Sequence, residues 1–256
     1  MSTPPIDLSG RNALIIGATE GIGRATALAF AAAGANVFAA GLGAERGQSL
    51  AAEIRGGGRV DAAFIEADVT READVKAVVE RAAERFGRIH AAVNNAGIEG
   101  GFGPVQDQTS EVFDRIISVN LKGIWHGLKY QVPHMLAHGG GAIVNTASSA
   151  GIQPIANIAI YTASKHGVVG LTKATALEVA RSNIRVNAVA PGPVNTGLLH
   201  RMIGGHIDVS VIAESVPMGR ISEPDEIART ILWLCSDAAS YITGHVLAAD
   251  GGLTVG

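Results

Sequence analysis

Short, continuously apolar runs alternate along this chain with longer stretches whose apolar residues recur at helical spacing. The run NALIIG at 12–17 is brief, uniformly apolar and closed by glycine, which predicts a buried strand. Further strands are predicted at 36–40, 60–67, 90–94, 142–147, 184–190 and 245–250, with Pro191 stopping the sixth. A helix is expected from about Ile22 to Ala33, ending at Gly34. The clearest helix follows Asp68 and Thr70. There Val75, Val78, Val79, Ala82 and Phe86 share one face, charged residues fill the other, and Gly87 ends it. One long helix is predicted over 110–135, with Pro133 expected to kink or stop it, another over 158–180, and a last one from Pro224 to about Cys235. The stretch 192–217 reads as loop-rich.

Strands this apolar must be covered on both faces, and helices between them are the crossovers of a parallel sheet. Right-handed crossovers then give an α/β, doubly wound, seven-stranded parallel sheet with helices on both faces, and ligands bind at the carboxyl ends of its strands. No linker, repeat or low-complexity tract divides the chain, so residues 1–256 are expected to form a single domain.

Composition narrows the function classes. Aromatics supply only 4% of the residues while glycine supplies 33 positions, so the core is aliphatic and rich in tight turns. A net charge of −3 without any basic block argues against nucleic acid and acidic membranes as partners. No apolar run is long enough for a membrane span, and no signal peptide is visible at MSTPPIDLSG. The single cysteine, Cys235, excludes an internal disulfide and is expected to be a buried, inert thiol; the cytoplasm is the default location. His134 and His138 stand four apart without a third ligand at metal spacing, so no metal site is expected.

Two local arrangements carry chemistry. Gly17, Gly21 and Gly23 follow the first strand and open the first helix, where glycine permits a tight turn and close backbone approach to a pyrophosphate. Tyr161 and Lys165 are four apart on a predicted helix and therefore share a face. A phenol ordinarily titrates near about 10 and an adjacent ammonium favours the phenolate, which would let Tyr161 act as a base. Ser148, at the end of the fifth strand, offers a hydroxyl to a substrate oxygen.

Collectively, the chain resembles the short-chain dehydrogenases/reductases over essentially its whole length. The resemblance rests on Gly17-x-x-x-Gly21-Ile-Gly23, Asp68-Val69, Asn94-Asn95-Ala96-Gly97, Asn120 in SVNLKG, Ser148 in NTASSAG, Tyr161-x-x-x-Lys165, Asn187 in RVNAVAPG, Pro191-Gly192 and Thr196. It implies a Rossmann-like domain and an NAD(P)-dependent oxidoreductase that moves a hydride between the nicotinamide and a secondary alcohol or ketone. In that reading Tyr161 is the general acid or base, and Lys165 lowers its pKa and bonds the nicotinamide ribose. Ser148 orients the substrate oxygen, and Asn120 holds a water that relays protons from Lys165. Asp68 and Val69 would contact the adenine, Asn95 and Gly97 would flank the adenosine ribose, and Thr196 would bind the carboxamide. Thr19, Glu20, Ile22, Gly41, Leu42, Ala96, Pro191, Gly192 and Val194 complete the implied cofactor contacts. Relatives usually form homotetramers through the two long central helices and through the C-terminal strand and tail. An epimerase or lyase on the same fold, or a non-catalytic dinucleotide sensor, is the alternative; the complete set Asn120, Ser148, Tyr161 and Lys165 favours the dehydrogenase.

Cofactor choice is where the sequence departs from the family pattern. The acid that usually ends the second strand in NAD-preferring relatives is replaced by Gly41, which removes a barrier to a 2′-phosphate. Glu20 and Leu42 stand where NADP-preferring relatives carry basic residues, though Arg24 or Arg46 could compensate for Glu20. The balance tips slightly to NAD. The substrate pocket is expected from segments 98–105, 151–158 and 194–216, with Ile152, Gln153, Ile155, Leu198, Leu199, Met202 and Ile203 making it largely apolar. Segment 195–215 is a candidate lid.

Overall fold

The computed structural model describes residues 6–204 and 208–255. Its centre is a parallel sheet of seven strands: β1 (Asn12–Ile16), β2 (Asn36–Gly41), β3 (Ala62–Glu66), β4 (Ala91–Asn94), β5 (Gly141–Thr146), β6 (Ile184–Pro191) and β7 (Val246–Ala249). They lie in the order β3-β2-β1-β4-β5-β6-β7. β1 pairs with β2 on one side and with β4 on the other, so Ile16 faces Ala40 and Asn94 in register. The chain reverses its direction of winding there, and a crevice opens above the carboxyl ends of β1 and β4.

Every residue of β1 is buried, as a central strand covered on both faces requires. Its alternate side chains feed two cores. Ala13 and Ile15 join Phe30 of α1 (Gly21–Ala32), Leu50 and Ile54 of α2 (Ala44–Gly56), and Ile227 and Ile231 of α9 (Pro224–Cys235). Leu14 and Ile16 join Val75 and Val78 of α3 (Glu72–Phe86), Ile124 and Leu128 of α5 (Gly123–Ala137), and Val168 of α6 (Ala159–Val179). The α/β doubly wound fold with helices on both faces thus stands as expected.

One helix is added to the expected elements and three local expectations need correction. α2 was not anticipated, because Gly47 interrupts its pattern; a β-carbon there would lie 2.1 Å from the Phe64 ring, so glycine is needed where α2 meets β3. The single helix expected over 110–135 is two, α4 (Ser110–Ile117) and α5, joined by a π-helical turn at Ser118–Lys122. Pro133 does not stop α5, which runs on to Ala137; only the last turn lies beyond it, so few backbone bonds are at stake. The loop-rich stretch 192–217 contains α7 (Gly197–Ile203), capped by Thr196, and α8 (Val209–Ser215), capped by Asp208. These short helices carry too few turns to show periodicity in the sequence.

Candidate active site

The glycine turn sits directly on β1. Gly17 adopts a φ of +85°, and its N–H and that of Ala18 both donate to the Ala40 carbonyl, at 2.7 and 3.0 Å. A β-carbon on Gly17 would lie 2.4 Å from the Ala96 nitrogen, and one on Gly23 would lie 1.9 Å from the Gly17 carbonyl oxygen. Glycine is therefore required at both points for the turn, α1 and the loop after β4 to meet. Glu20 occupies the N-cap of α1 without a side-chain cap bond, leaving the first-turn N–H groups directed at the crevice. Positive φ, backbone packed against backbone and open helix amides together fit a pyrophosphate.

Below the crevice lies a layer of buried amides. Asn94 at the end of β4 donates to Gln131 of α5 and to Asn145 of β5, both at 2.9 Å, and accepts from Gln131 at 2.7 Å. Asn145 in turn donates to Thr172 of α6 at 3.0 Å. The network fixes the ends of β4 and β5 against the helices that carry the reactive groups.

Tyr161 and Lys165 occupy the first two turns of α6, both buried, and Ser148 begins the tight turn after β5. Lys165 Nζ donates to the Thr146 carbonyl at 2.9 Å and lies 5.6 Å from the centroid of the Tyr161 ring. Burial pulls the ammonium down to about 8. Burial also pushes the Tyr161 phenol upward; a hydrogen bond with Ser148 opposes that rise and the charge of Glu99 adds to it. Lys165 is not among the groups that shift the phenol in the protein alone. Desolvation of the phenolate is the largest cause of the rise, and the ammonium faces the ring and Thr146.

Asn120 lies one layer behind, fully buried in the π turn. Its Oδ1 accepts from the Ile98 N–H at 2.8 Å, and its Nδ2 donates to the Ile98 carbonyl at 2.9 Å and to Ser164 Oγ at 3.3 Å. A β-carbon on Gly97 would touch both Asn120 Oδ1 and Lys165 Nζ at 3.5 Å, so the two groups look into one gap above Gly97. The second lone pair of Oδ1 remains available there.

A continuous cavity of about 850 Å³ runs along this crevice. Its wall includes Gly17, Thr19, Glu20, Gly21, Ile22, Gly41, Leu42, Asp68, Val69, Asn95, Ala96, Gly97, Ser148, Tyr161, Lys165, Pro191, Gly192, Val194 and Thr196. Gly23 and Asn120 support the wall without lining it. The other end is largely apolar, with Ile98, Phe102, Ile155, Leu198, Leu199, Met202 and Ile203 beside the polar Gln153. Ile152 departs from expectation: it points to solvent instead of the cavity. Phe102 comes from the expected segment 98–105, whereas Thr146 and the tail residues Leu253 and Thr254 lie outside the expected segments. Asp250 brings the tail there by accepting from the Thr254 N–H and hydroxyl, at 3.0 and 2.6 Å.

The rim is charged. Arg201 of α7 donates to Glu99 from Nε at 2.8 Å and from Nη2 at 3.3 Å, and Nη2 lies 3.7 Å from Glu20. Glu20 also accepts from Arg46 Nη1 at 2.7 Å, while Arg24 turns away to Glu53. Glu66, the acid at the end of β3, accepts from the N–H groups of Gly43 and Ala44, at 3.0 and 3.2 Å, which removes it from the cavity.

Known proteins resemble this chain in sequence and fold. A family model described as enoyl-(acyl carrier protein) reductase matches residues 17–254. A cyclohexanol dehydrogenase from Acinetobacter sp. (strain SE19) is 43% identical over 94% of both chains. A 2,5-dichloro-2,5-cyclohexadiene-1,4-diol dehydrogenase from Sphingobium indicum (strain UT26) is 41% identical over 97% of this chain and 98% of its own. Among solved structures, levodione reductase superposes with a TM-score of 0.93 at 38% identity, covering 96% of this chain and 98% of its own.

Proposed function

The chain belongs to the short-chain dehydrogenase/reductase family, and from that premise we propose that Tyr161, Lys165, Ser148 and Asn120 oxidise a neutral alicyclic alcohol or reduce the matching ketone. The protein is an NAD(P)-dependent oxidoreductase acting between a secondary alcohol and a ketone. When bound, the nicotinamide supplies or accepts the hydride. Tyr161 exchanges the proton with the substrate oxygen, and Ser148 holds that oxygen beside the phenol. Lys165 would bond the nicotinamide ribose, and a water held by Asn120 in the gap above Gly97 would relay protons from Lys165. The observation that carries this reading is the buried pair itself. A phenol and an ammonium share one wall of the cavity, and burial has moved both from their ordinary values.

The ring-shaped substrate class is supported by the apolar end of the cavity and by the two relatives whose names carry a cyclohexane or cyclohexadiene alcohol. We infer NAD as the preferred carrier, because Glu20 already engages Arg46, a cation on the cavity wall that could otherwise meet a 2′-phosphate. Residues 1–256 act as one dinucleotide-binding domain. We further place the protein in the cytoplasm as a homotetramer. Exposed Phe113, Trp125 and Leu177 on α4, α5 and α6, and Tyr241 and Val255 near the C-terminus, supply its two apolar faces. No helix among the described residues is long and apolar enough to cross a membrane.

The test is a rate measurement with cyclic and open-chain secondary alcohols and ketones, using each dinucleotide. Cyclohexanol-type alcohols with NAD are expected to give the highest kcat/KM. Tyr161→Phe is expected to lose at least about 10²-fold in kcat while dinucleotide affinity is retained. Normal turnover by that variant would refute the assignment.

A further inference from the structure

The reactive phenol lies within the field of a carboxylate that takes no direct part in the chemistry described above. Glu99 follows β4, is largely shielded from solvent, and is near enough to Tyr161 to disfavour the phenolate. Its charge is met by Arg201 of α7, which grips both carboxylate oxygens at 2.8 and 3.3 Å and reaches on to Glu20 at 3.7 Å. One side chain therefore ties the short helix over the cavity to the loop after β4 and to the glycine turn. Glu99 and Arg201 are 102 positions apart in the chain, so the contact exists only when α7 lies across the crevice.

We propose that Arg201 is a positioning residue for the reaction: it clamps α7 over the crevice and cancels the charge of Glu99 beside the Tyr161 phenol. The inference rests on Tyr161 being the proton-transfer group. The charged neighbours can be named element by element. α6 contributes Lys165, the loop after β4 contributes Glu99, and α7 contributes Arg201 beside the apolar Met202. The turn after β5 contributes only uncharged groups, Ser148, Ala150 and Ile158. Glu20 acts through Arg201, and Arg46 through Glu20. The pair thus consists of opposite charges whose separate removal must act on the phenol in opposite directions.

That opposition gives the experiment. Alcohol oxidation needs the phenolate, so kcat/KM rises with pH along a limb set by Tyr161. Arg201→Gln leaves Glu99 unmatched and is expected to move the limb to higher pH by about half a unit, with KM raised several-fold. Glu99→Gln leaves Arg201 unmatched and is expected to move it to lower pH by about the same amount. The double variant returns it to the wild-type position. Arg201→Lys keeps the charge but not the fork, so its limb stays in place while KM rises; this variant and Glu99→Gln carry the test if Arg201→Gln fails to fold. A merely structural pair would lower rates without moving the limbs apart. Limbs that stay still, or that move in the same direction, overturn the proposal. Tyr161→Phe separates the two readings. If it turns over normally, the active-site assignment falls; if it is inactive and the limbs do not diverge, only the role of Arg201 falls.

Discussion

The floor and the roof of the crevice are built on opposite principles. The floor is made of β4, β5, α6 and the π turn before α5, where Asn94, Asn145, Thr172, Asn120 and Lys165 are buried and bonded to one another or to backbone. The roof is α7, α8 and the loop after β4, held at its rim by the partly exposed ion pairs of Arg201. Buried polar groups are costly to leave unpaired, so a satisfied network has one stable arrangement. Exposed ion pairs contribute at most about 1 kcal/mol each and can break and re-form. The atoms that must hold a reacting geometry sit on the first kind of support, and the atoms that must admit a substrate sit on the second.

Substitutions can break or sharpen this contrast. The largest effect is expected from Gly23→Ala, whose new methyl would collide with the Gly17 carbonyl. A loss of about 3 kcal/mol or more, with dinucleotide binding abolished, should appear in denaturant unfolding and cofactor titration. Lys165→Met is expected to lower kcat by at least about 10²-fold while raising stability at pH 7 by about 1–3 kcal/mol. Burial depresses the ammonium in the folded state to about 8, below its unfolded value of 10.5. The cost of burying that charge is therefore fully present below pH 8 and fades as the pH rises towards 10.5. Unfolding midpoints of the two proteins should converge over that window, and a constant gap would show that the burial cost is not electrostatic. Asn145→Ala is expected to cost about 1–3 kcal/mol by leaving one Asn94 N–H without its acceptor and Thr172 Oγ1 without a donor, measured as a shift in denaturant midpoint. The smallest effect belongs to the roof: Phe102→Ala, at an exposed position, should raise substrate KM a few-fold and leave the melting temperature within about 1 °C. A melting shift comparable to that of Asn145→Ala would erase the distinction between floor and roof.

The floor was the more legible half in the sequence, for the same physical reason. Buried strands must be apolar and crossover helices must be amphipathic, so the strands and the face of α3 stood out as pattern. The glycine turn and the Tyr161–Lys165 spacing are local, and each keeps its meaning within a few residues. The π turn at Ser118–Lys122 leaves no such mark, because a widened turn changes hydrogen bonding without changing hydrophobic order. α2 was hidden by Gly47, whose reason lies across the interface at Phe64. The roof depends on distant pairs such as Arg201 with Glu99, and no periodicity in either segment reports them. Ile152 was misplaced because an apolar residue in the right loop can still face water.

Cys235, the lone cysteine, is buried at the end of α9 and burial pushes its thiol up to about 12. At pH 8 its thiolate fraction is on the order of one in ten thousand, so maleimides and iodoacetamides will pass it by. A Val211→Cys substitution on the exposed side of α8 would then be the sole labelling point on the native protein. A fluorophore attached there could report opening and closing of the roof during turnover, without any prior removal of the natural residue.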